Sequence, residues 1–105
     1  MNVPSMPTLK KYGLSVEEWT DLYNKFEGCC HVCLKPQSPE STRAFHTDHE
    51  HVKGWDKMPP DERKLYVRGL LCYMCNRFRV TRGTTLEAAR GLVRYLEDYE
   101  ETWNE

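Results

Sequence analysis

No run of apolar residues in this 105-residue chain approaches the roughly 18 that a membrane span needs. The opening, Met1-Asn-Val-Pro-Ser-Met-Pro7, has neither the basic start nor the apolar stretch of a secretory signal. Internal repeats and low-complexity tracts are missing as well. Charge of one sign does not dominate either: 15 Lys and Arg face 16 Asp and Glu, for a formal net charge of -1. The expectation is a cytoplasmic protein with no membrane partner. The length excludes a large multi-domain enzyme and allows only a modest core, so a further staple is expected. With 39% hydrophobic and 11% aromatic residues, the composition is not that of a disordered chain.

What is present is unevenly placed. From Arg63 to Arg82 the chain carries Arg63, Lys64, Arg68, Arg77, Arg79 and Arg82 with no acid. From Glu97 to Glu105 it carries five acids and no base. Such blocks cancel in the sum but not in space, and the basic one suits a nucleic-acid backbone. The acidic tail reads as a solvated helix end.

Two helices are expected. Ser15 with Glu18 forms a capping box ahead of Val16, Trp19, Tyr23 and Phe26, an apolar stripe that Gly28 ends. Thr84 with Glu87 reads as a second box before Leu86, Ala89, Val93, Leu96 and Trp103, in a helix over 85–103. Between them, 43–49 and 66–71 read as strands, 35–41 and 58–61 as loops, and 73–81 as a third helix. The outline is one α+β domain over 1–105, with an N-terminal arm (1–11), a core (12–82) and a C-terminal helix (83–105).

Cys30-His-Val-Cys33 and Cys72-Tyr-Met-Cys75 are two C-x-x-C pairs separated by 38 residues. Two thiolates at this spacing turn onto one cation, and two such pairs complete the tetrahedron of a structural zinc site. A redox C-x-x-C usually stands alone, disulfides need an oxidising compartment, and buried free thiols need no such spacing. Cys29 is the odd cysteine, and His31 reads as a solvated loop residue rather than a ligand.

Thr47-Asp48-His49-Glu50-His51 gathers ionisable groups at the end of an expected strand. Asp48 offers a hard oxygen suited to Mg²⁺, His49 can take a proton from water, and Asn76 directly follows Cys75. A carboxylate, a base and an amide make a compact site for phosphodiester hydrolysis. Blander readings stay open: a surface loop, His49 or His51 as alternative zinc ligands, and Asn76 as a helix cap.

The set Cys30-x-x-Cys33, Asp48-His49-Glu50-His51 and Arg68-Gly-Leu-Leu-Cys72-x-x-Cys75-Asn76 resembles the phage recombination endonuclease VII family of HNH (His-Me finger) nucleases, over about 12–82. The resemblance implies a zinc-stapled ββα-metal core flanked by terminal helices. It implies structural Zn²⁺ on Cys30, Cys33, Cys72 and Cys75, and catalytic Mg²⁺ (or Mn²⁺) on Asp48 and Asn76. His49 would be the general base and His51 would assist at the phosphate. The substrate would be branched or distorted DNA, as for a Holliday-junction resolvase in the host cytoplasm of a phage, and the protein could act as a homodimer. Lys53, Arg68, Arg77, Arg79 and Arg82 are the expected DNA-backbone contacts, with Arg77 the arginine most suited to balancing the thiolates. Two departures stand out: 16 residues between His51 and Arg68, and Arg77-Phe78-Arg79-Val80 after Asn76. The alternatives are a less selective HNH nickase and a zinc-ribbon adaptor that cuts nothing.

Overall fold

Ser15 does what its sequence context demands. Its hydroxyl accepts the Glu18 N–H at 3.0 Å while the Glu18 carboxylate accepts the Ser15 N–H at 3.1 Å, and helix α2 (Val16–Lys25) starts there. The computed structural model describes residues 1–104, and Glu105 of the acidic tail lies outside the described residues. Trp19 on α2 is fully buried, whereas Val16 is 45% exposed. The buried face of α2 is therefore Trp19 with Leu22 and Tyr23, not the full stripe through Val16 and Phe26.

The first eleven residues are not simply an arm. Met6–Tyr12 form helix α1, with Pro in its first turn and Lys10 and Lys11 in its last, an order that suits the helix dipole. Leu9 joins the core. Gly13 closes α1 in the left-handed region (φ 70°), where a Cβ would also collide with the Pro60 carbonyl. Seven residues are too few for periodicity to reveal a helix.

Strands β1 (His46–His49) and β2 (Val67–Leu71) pair antiparallel, with Asp48 opposite Gly69 and a register shift between Asp48 and His49. β1 is shorter than expected because 43–45 do not join the ladder. The connection holds a 3₁₀ turn (Trp55–Lys57), the short helix α3 (Pro60–Arg63) and a second 3₁₀ turn (Lys64–Tyr66). Pro60, read as loop, starts α3, since proline fits a first helical position. After β2 the chain is helical from 73 and runs into a π turn, Cys75–Arg79, closed by the Val80 N–H on Cys75 O at 2.8 Å.

Helix α4 (Leu86–Asn104) begins one residue later than the Thr84 box implies. Thr85 caps it by accepting the Ala88 N–H at 3.1 Å. Thr84 instead accepts the Thr81 N–H at 2.9 Å and donates to Arg79 O. Among the described residues, none of α4 joins the core cluster, which is Leu9, Trp19, Cys30, Phe45, Leu70, Leu71 and Cys75. The apolar stripe of α4 is real but uncovered: Leu86, Val93, Leu96 and Trp103 are each more than half exposed. The radius of gyration, 16.1 Å, accordingly exceeds the roughly 13 Å of a compact chain this long.

His31 corrects the sequence reading. It is half-buried, its Nε2–H donates to Leu22 O at 2.9 Å, and its Nδ1 accepts the Leu70 N–H at 3.3 Å. The ring packs 4.3 Å from Phe26 and ties α2, the first cysteine pair and β2 together. A Cβ at Gly69 would press directly on His31 Nδ1. Gly69→Ala is therefore expected to lower stability by about 1–3 kcal/mol, read as a fall in thermal midpoint with zinc content retained.

Candidate functional site

Four sulfurs converge at the centre of the chain. The first pair sits in a tight turn, with the Leu34 N–H on Cys30 O at 2.9 Å and the Val32 N–H on Cys30 Sγ at 3.4 Å. The turn puts Leu34 in the left-handed region (φ 61°). The second pair opens the helical segment, with the Cys75 N–H on Cys72 Sγ at 3.4 Å. The sulfurs of Cys30, Cys33, Cys72 and Cys75 all lie within 4.8 Å of one another, and Cys33 Sγ is 3.8 Å from Cys72 Sγ. Tetrahedral zinc with bonds of about 2.3 Å places sulfurs about 3.8 Å apart. The set fits structural zinc.

The electrostatics agree with that fit. Burial pushes the Cys75 thiol up to about 12, with neighbouring thiols adding to the rise and Arg79 opposing it. Burial also opposes ionisation of Cys30, but backbone N–H groups of Cys72, Cys33 and Val32 outweigh it and bring that thiol to about 6. One thiolate forms readily and the last resists, so a cation is needed to hold four. Arg79 donates from Nη1 to Cys75 Sγ at 3.2 Å. It is thus Arg79, not Arg77, that reaches the cluster; Arg77 lies over the rings of Tyr73 and Phe78. Cys29 stands outside the group.

The second cysteine pair leads straight into the second feature. The Asn76 N–H is bonded to Cys72 O at 2.9 Å. Asn76 lines a cavity of about 400 Å³ together with Asp48, His49, His51 and Tyr12. β1 is pinned from below, where Trp19 Nε1–H donates to the Thr47 hydroxyl at 3.3 Å. Thr47 and Asp48 are both buried while His49 is half-buried, and the register shift after Asp48 leaves Arg68 as the extra residue on β2. The expected acid, imidazoles and amide are thereby brought to one cavity.

Asp48 is 7% exposed. Both of its oxygens are engaged by Arg68, Nε–Oδ2 at 2.7 Å and Nη2–Oδ1 at 3.2 Å. His49 stacks on Trp55, with centroids 3.9 Å apart and planes 19° apart. It also meets Tyr12 at 5.7 Å and His51 at 4.7 Å. Desolvation, then repulsion from His51, holds the His49 imidazole below its ordinary 6.5 although Asp48 opposes this. Burial, then the nearby Asp48 charge, raises the Tyr12 hydroxyl.

Sequence reasoning missed Tyr12 and Trp55 as neighbours of His49. Trp55 lies in the 16-residue connection, which offers no motif, and Tyr12 marked only the start of the resembling stretch. The basic candidates divide. Lys53 and Arg82 border His49 and His51 together with Lys11, and Arg68 and Arg82 border His51 on a second side. Arg77 and Arg79 lie at the aromatic patch and the cysteine cluster instead.

Among the described residues, no helix is long and apolar enough to cross a membrane. Comparison with known proteins gives three findings. The family model for recombination endonuclease VII matches residues 6–98. The Gene 59 protein of Mycobacterium phage D29 is 31% identical over 70 residues, covering 67% of this chain and 34% of that protein. The Gene 59 protein of Mycobacterium phage L5 is 28% identical over 89 residues, covering 85% of this chain and 43% of that protein. The chain thus spans less than half the length of these curated relatives. No solved structure matches it significantly. The family match takes in both cysteine pairs together with Asp48, His49, His51 and Asn76, and the chain belongs to the recombination endonuclease VII family.

Proposed function

We propose that the chain is a metal-dependent DNA endonuclease of the HNH (His-Me finger) type, acting on branched DNA such as a four-way junction in the host cytoplasm of a phage. The observation behind this reading is the shared cavity of Asp48, His49, His51 and Asn76, one residue beyond the sulfur cluster. A zinc-ribbon adaptor has no use for that set.

The donor chemistry fits a divalent ion: Asp48 offers a carboxylate and Asn76 a neutral amide oxygen at the same cavity. Mg²⁺ or Mn²⁺ bound there supplies charge neutralisation at the phosphate and at the departing 3′ oxygen. The chain's own groups do the rest. His49, kept neutral by its depressed pKa and oriented by Trp55, takes a proton from water. The hydroxide oxygen bonds to phosphorus, the bond to the 3′ oxygen breaks, and solvent returns a proton to that oxygen. The products are a 5′ phosphate and a 3′ hydroxyl. His51 assists at the phosphate, and Lys11, Lys53, Arg68 and Arg82 hold the backbone.

The test incubates supercoiled plasmid and a synthetic four-way junction with zinc-loaded protein, with and without Mg²⁺. Preferential junction cutting that requires Mg²⁺ supports the reading; no cutting of either DNA supports the adaptor, and unselective nicking the nickase. The pH profile gives a second check. The base form of His49 is lost as pH falls through its pKa, so the acid limb of kcat/KM is expected below 6.5. A limb at or above 6.5 contradicts the assignment. The exposed apolar face of α4 is the surface through which we propose a homodimer. Its solution mass is expected at twice the 12.4 kDa chain, falling to one copy in Leu96→Glu.

A further inference from the structure

We propose that Arg68 and the divalent cation compete for Asp48, and that Arg68, once displaced, turns to the DNA backbone. The inference rests on the cation reading of Asp48 given above and deepens it.

Two observations carry it. The first is the pairing itself. The Asp48 side chain is 8% exposed and that of Arg68 39%, so the acid is the fixed partner and the guanidinium the movable one. A buried carboxylate left alone is strongly disfavoured. Arg68 relieves this with two N–H groups, one on each oxygen, at 2.7 and 3.2 Å. A dication on the same carboxylate would sit beside the guanidinium, and the two positive charges repel. The second observation is where Arg68 can go. Its side chain also borders the surface groove formed with His51, Thr81 and Arg82. That groove adjoins the His49 and His51 surface bordered by Lys11, Lys53 and Arg82. Released from Asp48, the guanidinium joins a basic track and can grip a phosphate with its planar fork.

The arrangement links two binding events. While Arg68 covers Asp48, the pair is neutral and the backbone track lacks one charge. Cation on Asp48 frees that charge. By reciprocity, cation raises DNA affinity and DNA raises cation affinity by the same factor. Arg68 is then a positioning residue for Asp48 in the cation-free protein and a backbone contact in the loaded one.

The probe is Mn²⁺ alone, titrated into the zinc-loaded full chain without DNA, with free ion counted by electron paramagnetic resonance. Arg68→Gln is expected to bind Mn²⁺ about tenfold more tightly than wild type, and Asp48→Asn to lose the site. With a nuclease-resistant phosphorothioate junction, Mn²⁺ raises the DNA affinity of wild type but not of Arg68→Gln. Circular dichroism checks folding of the variant. Nitrogen-edited NMR of wild type needs no variant: the Arg68 Nε–H signal should shift and lose its exchange protection as Mg²⁺ saturates. Equal or weaker Mn²⁺ binding by Arg68→Gln, or an Nε–H unchanged at saturation, overturns the proposal while leaving cation binding at Asp48 intact. No Mn²⁺ bound by wild type or Arg68→Gln sinks the cation reading itself, and the proposal with it.

Discussion

Removal of zinc is expected to unfold the centre of the molecule. Cys30 and Cys75 are two of the seven residues in the buried core cluster, so the ligands are also packing elements. Zinc on four thiolates contributes roughly 10–16 kcal/mol, as much as the whole stability of a typical domain, about 5–15 kcal/mol. Without it, four thiols crowd within 4.8 Å, and the last of them is held near 12. Trp19 reports the event well because it is fully buried on α2 and bonded to Thr47 of β1. Chelation, or Cys72→Ser, should red-shift tryptophan emission, collapse amide-exchange protection in β1 and β2, and abolish DNA cleavage. Part of the helical signal should survive, since none of the described residues of α4 belongs to the core cluster. A chelated protein that keeps Trp19 buried would show that the sulfurs are not the staple.

The second large effect is expected at His49. His49→Ala should lower the cleavage rate by roughly 10²–10⁴, the usual worth of a positioned base. Zinc content and affinity for a four-way junction should stay within twofold of wild type. The separation follows from the geometry. His49 is half-buried against Trp55 and Tyr12 and stands apart from the sulfur cluster. Single-turnover rates at saturating Mg²⁺, alongside binding measured on the zinc-loaded protein with Mg²⁺ omitted, read the two quantities independently. A rate reduced less than tenfold would remove His49 from the role of base.

How much of this was legible in the chain depends on the range of the interaction. The Ser15–Glu18 box is local, three residues apart, and the structure contains it as read. The paired cysteines carry their own spacing, and the sulfurs do converge. The second cap slipped by one residue because Thr84 and Thr85 are adjacent and both able to cap. The Thr84 hydroxyl is taken by Thr81 and Arg79, contacts no propensity encodes.

Illegible features were those made by distant partners. His31 looks like a loop residue until Leu22 and Leu70 are placed on either side of it. Trp55 acquires meaning only when the 52–67 connection folds back over His49. Arg68 read as one cation of a basic block, and nothing in the chain order says that Asp48 holds it. The α4 stripe has the period of a packed helix, yet periodicity cannot say whether the covering surface belongs to the same chain.

Anomalous diffraction from crystals of the zinc-loaded chain soaked in Mn²⁺ locates both ions at once. A zinc peak is expected among the sulfurs of Cys30, Cys33, Cys72 and Cys75, and a manganese peak between the Asp48 carboxylate and the Asn76 amide oxygen. A cavity empty of manganese, with the ion bound elsewhere or not at all, would rule out cation binding by Asp48 and Asn76.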